Sequence, residues 1–231
     1  PFTRVKDVSL AKEDLHIRWF DDGVLNVTES CLDRHLAKRG DTTAILWEPD
    51  SEAHAHRDIS YNELAAQVNR LANGLKSEGV SKGDVVTIYM PMVPEATVAM
   101  LACARIGAIH SVVFGGFSPE ALAGRIKGGN SRLVITADQG LRAGKRVALK
   151  SNVDKAIALL NEQQAQSLVE RVVVLAHTGS GAQYVEGRDL DYQQLLNSQS
   201  DICPAEPMNA EDPLFILYTS GSTGQPKGVV H

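Results

Sequence analysis

The chain has 231 residues, of which 43% are hydrophobic and 22% charged, a globular balance that excludes a mostly disordered protein. At about 150 residues per domain this is roughly one and a half domains. Lys and Arg number 23 against 28 Asp and Glu, a net charge of −5, which disfavours bulk binding to nucleic acid because that needs a basic surface.

In chain order, residues 1–25 read as mostly irregular. Asn26 or Thr28 can cap a helix whose apolar side is Cys31, Leu32 and Leu36, stopped at Gly40. Short strands follow over Thr43–Trp47 and Arg57–Ile59, and the polar loop between them suggests a hairpin. Ser60 and Glu63 form a capping box. Behind it, Leu64, Val68, Leu71 and Leu75 share one face of a helix that ends at Gly79. Val85–Tyr89 is a β-branched strand. A helix over residues 94–106 starts at Pro94, and Ile109–Phe114 is the next strand. Ser118 and Pro119 open a third helix with serine at the cap and proline in its first turn. Strands at Leu133–Thr136, Val172–Leu175 and Leu214–Tyr218 complete the pattern, with helices at 152–169 and Asp191–Leu196. Residues 178–187 are a loop rich in Gly and Ser.

The strand–helix–strand order has connections too long for hairpins, and the strands are apolar on both faces. Right-handed parallel crossovers and an α/β layer fold are predicted: a mainly parallel sheet with flanking helices.

Cys31, Cys103 and Cys203 are odd in number and form no CxxC. A disulfide or zinc framework is not expected, and a reducing compartment, the cytoplasm, fits better. The best apolar stretch, 96–114, is broken by Arg105, Gly107 and His110, so no membrane partner is expected. The polar amino end shows no signal peptide. His54 and His56 alternate in a polar loop, but two histidines alone rarely hold a metal, and no metal ligands are assigned. Cys103 reads as core. Trp19 could be a surface anchor or core, and Tyr218 as packing rather than reacting. The oligomeric state is not legible.

The informative segment is Thr219-Ser220-Gly221-Ser222-Thr223-Gly224-Gln225-Pro226-Lys227-Gly228, fed by the apolar strand before it. Glycines let backbone N–H groups curl around phosphate oxygens, hydroxyls add neutral donors, and Lys227 adds charge. The pattern is neither GxxxxGK[ST] nor GxGxxG. A flexible surface loop is the bland alternative, but the leading strand, the hydroxyl density and the Pro-Lys-Gly ending favour a polyphosphate cradle. Upstream, residues 125–150 carry Arg125, Lys127, Arg132, Arg142, Lys145, Arg146 and Lys150 against the single acid Asp138. Positive charge concentrated against the global sign suggests a polyanionic ligand. The alternative is a solvated basic face.

The segment from Tyr218 to Gly228 resembles the phosphate loop of the adenylate-forming superfamily of acyl-CoA synthetases, luciferases and peptide synthetases. The stretches 17–26, 31–36, 111–118 and 209–213 are similar to those of the AMP-forming acetyl-CoA synthetases, and the likeness covers nearly the whole chain. It implies acetate–CoA ligase chemistry through acetyl-adenylate, with ATP, acetate and CoA as small-molecule substrates and Mg2+ accompanying ATP. It assigns the ATP phosphates to Thr219, Ser220, Gly221, Ser222, Thr223, Gly224 and Lys227. It assigns CoA to Gly116 and to Arg142, Ala143, Gly144 and Lys145. The last of these is often arginine in the family, and lysine keeps the charge but not the planar fork.

The likeness further implies that residues 1–60 are an amino-terminal extension with short strands. Residues 61–231 then form the α/β part of a large adenylate-forming domain, truncated at its phosphate loop. In the family the acyl pocket, the ribose contacts and a carboxy-terminal domain with its catalytic lysine follow that loop. No catalytic residue is therefore assigned here, and the 231 residues alone are expected to be inactive. Two alternatives stay open: a ligase for propionate or another short acid, and a non-catalytic nucleotide- or CoA-binding module.

Overall fold

The computed structural model describes residues 2–50, 55–162, 168–219, 224 and 226–231. Its first element corrects the irregular reading of the amino end. Strands β1 (Lys6–Ser9) and β2 (His16–Trp19) pair as an antiparallel hairpin. The hairpin is largely exposed, so it lacks the buried alternation that marks a strand in sequence. Trp19 is half exposed, under the Lys6 ammonium 5.4 Å from its ring centroid, which makes it a surface residue.

Asn26 is the next cap: its Oδ1 accepts from the Thr28 N–H at 2.9 Å and the Thr28 hydroxyl at 2.7 Å. A π-turn over Glu29–Asp33 then leads into α1 (Arg34–Arg39). The wider π-turn changes the angular step between residues. Leu32 is buried, whereas Cys31, expected on the apolar side, is exposed. The hairpin β3 (Thr43–Trp47) and β4 (Arg57–Ser60) follows as expected.

Helix α2 (Tyr61–Ser77) starts on the predicted capping box. Ser60 Oγ accepts from the Glu63 N–H at 3.2 Å, and Glu63 Oε2 accepts from the Ser60 N–H at 2.8 Å. The α/β alternation then runs β5 (Val85–Tyr89), α3 (Pro94–Arg105), β6 (Ile109–Val112), α4 (Pro119–Gly129) and β7 (Leu133–Ala137). A small hairpin, β8 (Gly140–Arg142) and β9 (Lys145–Val147), precedes α5 (Leu149–Glu162) and β10 (Arg171–Leu175). Then come β11 (Asp189–Asp191), α6 (Tyr192–Asn197), β12 (Phe215–Thr219) and β13 (Lys227–Val230). The strands β8, β9, β11 and β13 escaped the sequence reading. Each is three or four residues long, and none is a buried apolar run.

The main sheet has the order β11-β10-β7-β5-β6-β12-β13, parallel throughout except for the last pair. Side chains alternate across it. Val86 and Ile88 of β5, Leu133 and Ile135 of β7, and Val173 of β10 belong to the core under α2, α3 and α6. Tyr89, Val134, Val172 and Val174 belong to the core under α4 and α5. Two buried faces explain the near-continuous apolar strands. The end of α3 is tied to the amino-terminal segment by Arg105, whose guanidinium reaches Asp33 at 2.9 Å, Thr28 Oγ1 at 3.2 Å and the Cys203 carbonyl at 2.6 Å. Among the described residues, no helix is long and apolar enough to cross a membrane.

Candidate functional site

Parallel α/β sheets bind ligands beyond the carboxyl ends of their strands. Here four strand ends meet on that edge. After β5 come Met90 and Pro91, and after β6 the turn Phe114-Gly115-Gly116-Phe117. After β7 come Asp138 and the β8–β9 hairpin, and after β12 the Gly/Ser-rich loop. Because β12 runs parallel to β6, its last residue Thr219 leaves the sheet on the same edge.

The candidate phosphate loop joins β12 to β13, and Thr219 lies opposite Lys227 in their antiparallel register. The two ends of the loop are thus side by side, which places the Lys227 backbone next to the hydroxyl-bearing Thr219. Lys227 is exposed, and Gly224 takes φ +78° with open space where a Cβ would stand. Ser220, Gly221, Ser222 and Thr223 lie outside the described residues, as does Gln225. Below the loop Tyr218 packs, as expected. Its hydroxyl donates to the Arg125 carbonyl at 3.2 Å, and a Cβ on Gly128 would come within 2.7 Å of it. Burial raises the Tyr218 phenol above its ordinary pKa, with the nearby Arg125 opposing.

The hairpin tip carries the CoA candidates. Ala143 at φ +47° and Gly144 at φ +71° are both left-handed, the geometry of a two-residue hairpin turn. Arg142 and Lys145 flank that turn as cross-strand partners, both exposed. The Arg142 guanidinium lies 4.7 Å from the centroid of Phe114, and Phe114 meets Phe117 edge-on at 5.5 Å. Between these aromatics sits Gly116, where an added Cβ would lie 2.5 Å from the Phe114 ring. A Cβ on Gly115 would stand 3.1 Å from the Met90 carbonyl oxygen. The structure therefore brings Gly116 and Arg142 together through Phe114.

The basic stretch, by contrast, does not form one surface. Arg132 sits at the opposite end of β7 and pairs with Glu170 at 2.9 Å. Lys150 is buried, 2.8 Å from both Asp154 and Asp189. Arg125 is buried too, 4.4 Å from the Phe117 centroid and 5.3 Å from that of Tyr218. Burial lowers its pKa from the ordinary value. Only Arg142, Lys145 and Arg146 share the hairpin. A linear charge count cannot see this, because β7 carries Arg132 to the far edge of the sheet.

Asp138 and the Phe114–Phe117 aromatics have no place in the sequence reading of the site. Signals for both exist: Asp138 is the single acid of the basic stretch and directly follows a strand, and the phenylalanines bracket a double glycine. The remaining sequence candidates are bland. Cys103 is buried, and its thiol is pushed up to about 12 by that burial. His56 is described and His54 is not. Among the described residues no three His, Cys, Asp or Glu side chains gather as metal ligands would.

The family described as AMP-binding enzyme matches residues 32–231. The chain is 61% identical over 231 residues to a protein named acetyl-coenzyme A synthetase from Novosphingobium aromaticivorans, a match covering all of this chain and 35% of that protein. It is 57% identical over 229 residues to an acetyl-coenzyme A synthetase from Shewanella denitrificans, covering 99% of this chain and 34% of the relative. A solved acetoacetyl-CoA synthetase from Streptomyces lividans superposes with a TM-score of 0.84 at 28% identity, covering all of this chain and 33% of that one. The chain thus spans about a third of the length of the curated relatives it matches.

Proposed function

The chain belongs to the family of AMP-binding enzymes, and from that premise we propose that it is the amino-terminal part of an AMP-forming acetate–CoA ligase. The observation that carries this reading is its 57–61% identity, over essentially its whole length, to proteins named acetyl-coenzyme A synthetase. In the proposed reaction an acetate oxygen attacks the α-phosphorus of ATP, and the bond to pyrophosphate breaks. The CoA thiol, losing its proton, then attacks the acetyl carbon, and AMP leaves. Magnesium enters as part of the ATP substrate.

In this reading Thr219, Ser220, Gly221, Ser222, Thr223, Gly224 and Lys227 hold the β- and γ-phosphates in the first step. Their contribution is positioning and electrostatic stabilisation of the departing pyrophosphate. The register of Thr219 opposite Lys227 supports it. Gly116 and the turn Arg142-Ala143-Gly144-Lys145 meet CoA in the second step, which the contact of Arg142 with Phe114 supports. Residues 1–60 form an extension and 61–231 the first part of the large domain. A cytoplasmic site accords with three free cysteines, Cys103 and Cys203 among them buried.

The test is to assay the full-length protein for acid-dependent exchange of pyrophosphate into ATP, then for CoA-dependent release of AMP. Acetate, propionate and acetoacetate are compared. Acetate is expected to give the highest kcat/KM. Absence of acid-dependent exchange would overturn the ligase, and a preference for propionate would overturn acetate as the substrate.

A further inference from the structure

We propose that Asp138 is a positioning residue for CoA binding: it locks the base of the β8–β9 hairpin to the 177–180 loop, so that Arg142 and Lys145 are presented to the anionic end of CoA. This rests on the CoA reading given above and adds to it a residue outside the contact surface.

The hairpin itself is poorly supported. Gly140 is buried, but residues 142–146 are exposed. Apart from the contact of Arg142 with Phe114 at its tip, its direction is set at its base. Two things hold that base. One is tight packing of Gly140, where a Cβ would come within 3.2 Å of Pro91 and 3.3 Å of Leu149. The other is Asp138, which is 4% exposed. Asp138 Oδ1 accepts from the N–H groups of Gln139 at 2.6 Å, His177 at 3.0 Å and Thr178 at 3.0 Å. Its Oδ2 accepts from the Ser180 N–H at 3.0 Å, the Thr178 hydroxyl at 3.0 Å and the Ser180 hydroxyl at 3.2 Å.

These donors come from two segments only: the entry to the hairpin, and the loop after β10. The neighbouring Gln139 extends the link, accepting from Arg146 Nη1 at 3.1 Å. The next helix is attached as well, since the Lys150 N–H reaches the Asp138 carbonyl at 3.3 Å. Burial works against the charge. Bonds from the Ser180, Thr178 and Gln139 N–H groups and the Thr178 hydroxyl outweigh it, and the carboxyl stays below its ordinary pKa. An amide in its place would turn its NH2 toward N–H donors and leave at least one of them unpaired.

The experiment uses the full-length protein. Asp138→Asn is expected to raise the KM for CoA about 5- to 30-fold, the size of losing one or two well-made hydrogen bonds. Acetate-dependent pyrophosphate exchange should stay within about twofold, and combining the change with Arg142→Ala should be less than additive. Thr178→Val, which removes one hydroxyl donor to the same carboxylate, should raise the KM for CoA by a smaller factor, and it decides the matter if Asp138→Asn does not fold. An unchanged KM for CoA in the folded variants, beside a raised one in Arg142→Ala, would overturn the role of Asp138 and leave the CoA site standing. Equal losses in both half-reactions would mean a general structural role and also overturn it. An unchanged KM in Arg142→Ala itself would instead remove the CoA reading on which it rests.

Discussion

The guanidinium of Arg142 lies over the ring of Phe114, 4.7 Å from its centroid. The two residues belong to different strand ends, and their contact joins the double-glycine turn to the hairpin tip. The series continues: Phe114 meets Phe117 edge-on, Phe117 faces Arg125, and Arg125 faces Tyr218 on the strand that leads to the Gly/Ser-rich loop. Replacing Phe114 with Leu removes the aromatic face under Arg142. An exposed cation–π contact is worth about 0.5–1 kcal/mol, so the KM for CoA in the full-length protein should rise roughly two- to fivefold. Phe114→Tyr keeps the face and should be close to unchanged. Steady-state kinetics with CoA as the varied substrate checks both.

In the proposed reading Lys227 meets the departing pyrophosphate, so its removal should act on one step only. In the full-length protein Lys227→Ala should slow acetyl-adenylate formation by about 2–4 kcal/mol, roughly 30- to 1,000-fold. Thioester formation from supplied acetyl-adenylate should change little, because pyrophosphate has already left. Equal loss in both half-reactions would contradict the assignment.

His110 gives the chain a pH-dependent stability. It is partly buried beside Phe215, with 5.5 Å between ring centroids, and desolvation brings its pKa down to about 4. The unfolded chain takes up that proton near pH 6.5, whereas the folded chain resists until about pH 4. The stabilisation is therefore whole above pH 6.5 and is lost as pH falls toward 4, up to about 3 kcal/mol. Urea midpoints measured between pH 7.5 and 5 should fall, and His110→Gln should flatten that slope. Equal slopes for the two proteins would refute it.

The ion pair between Arg105 and Asp33 is mostly buried on the arginine side, where 8% of the side chain is exposed, and partly open at Asp33, with 33%. Asp33→Ala would leave a buried guanidinium short of its counter-ion. Breaking a fully buried pair costs about 3–5 kcal/mol, and the exposure of Asp33 should reduce this to about 2–3 kcal/mol. Equilibrium urea denaturation gives the value, and a change below about 0.5 kcal/mol would show that the Thr28 and Cys203 contacts hold Arg105 alone.

Local signals made much of this fold legible. The capping box at Ser60 and Glu63, the Ser118 cap and the β-branched runs of β5, β7 and β10 each depend on neighbours in sequence, and all formed where expected. What stayed hidden depends on partners far along the chain. The β1–β2 hairpin buries too little to show alternation, and β13 is recognisable only by its pairing with β12. The same holds at the candidate site. Arg142 and Gly116 each stood out, but Phe114 as the link between them is a tertiary fact. The basic stretch misled in the opposite direction, because sequence proximity cannot show that Arg132 and Lys150 are already paired with Glu170 and Asp189.

Arg142 also allows the sharpest distinction between a CoA contact and a merely exposed cation. If it grips the 3′-phosphate of CoA, Arg142→Ala in the full-length protein should raise the KM for CoA and leave pyrophosphate exchange untouched, since CoA enters only in the second step. A charge-assisted contact of this kind is worth about 1.5–3 kcal/mol, or roughly 10- to 150-fold. The lower half of that range is expected, because Lys145 and Arg146 stand on the same hairpin and salt screens an exposed pair. Dephospho-CoA, which lacks the 3′-phosphate, completes a double-mutant cycle with the ligand as second partner. The unchanged protein should bind it less well than CoA, and Arg142→Ala should scarcely tell the two apart. Additive losses would mean that Arg142 and the phosphate do not meet. The hairpin cations would then be a solvated face, and the assignment of Lys145 to CoA would fall with that of Arg142.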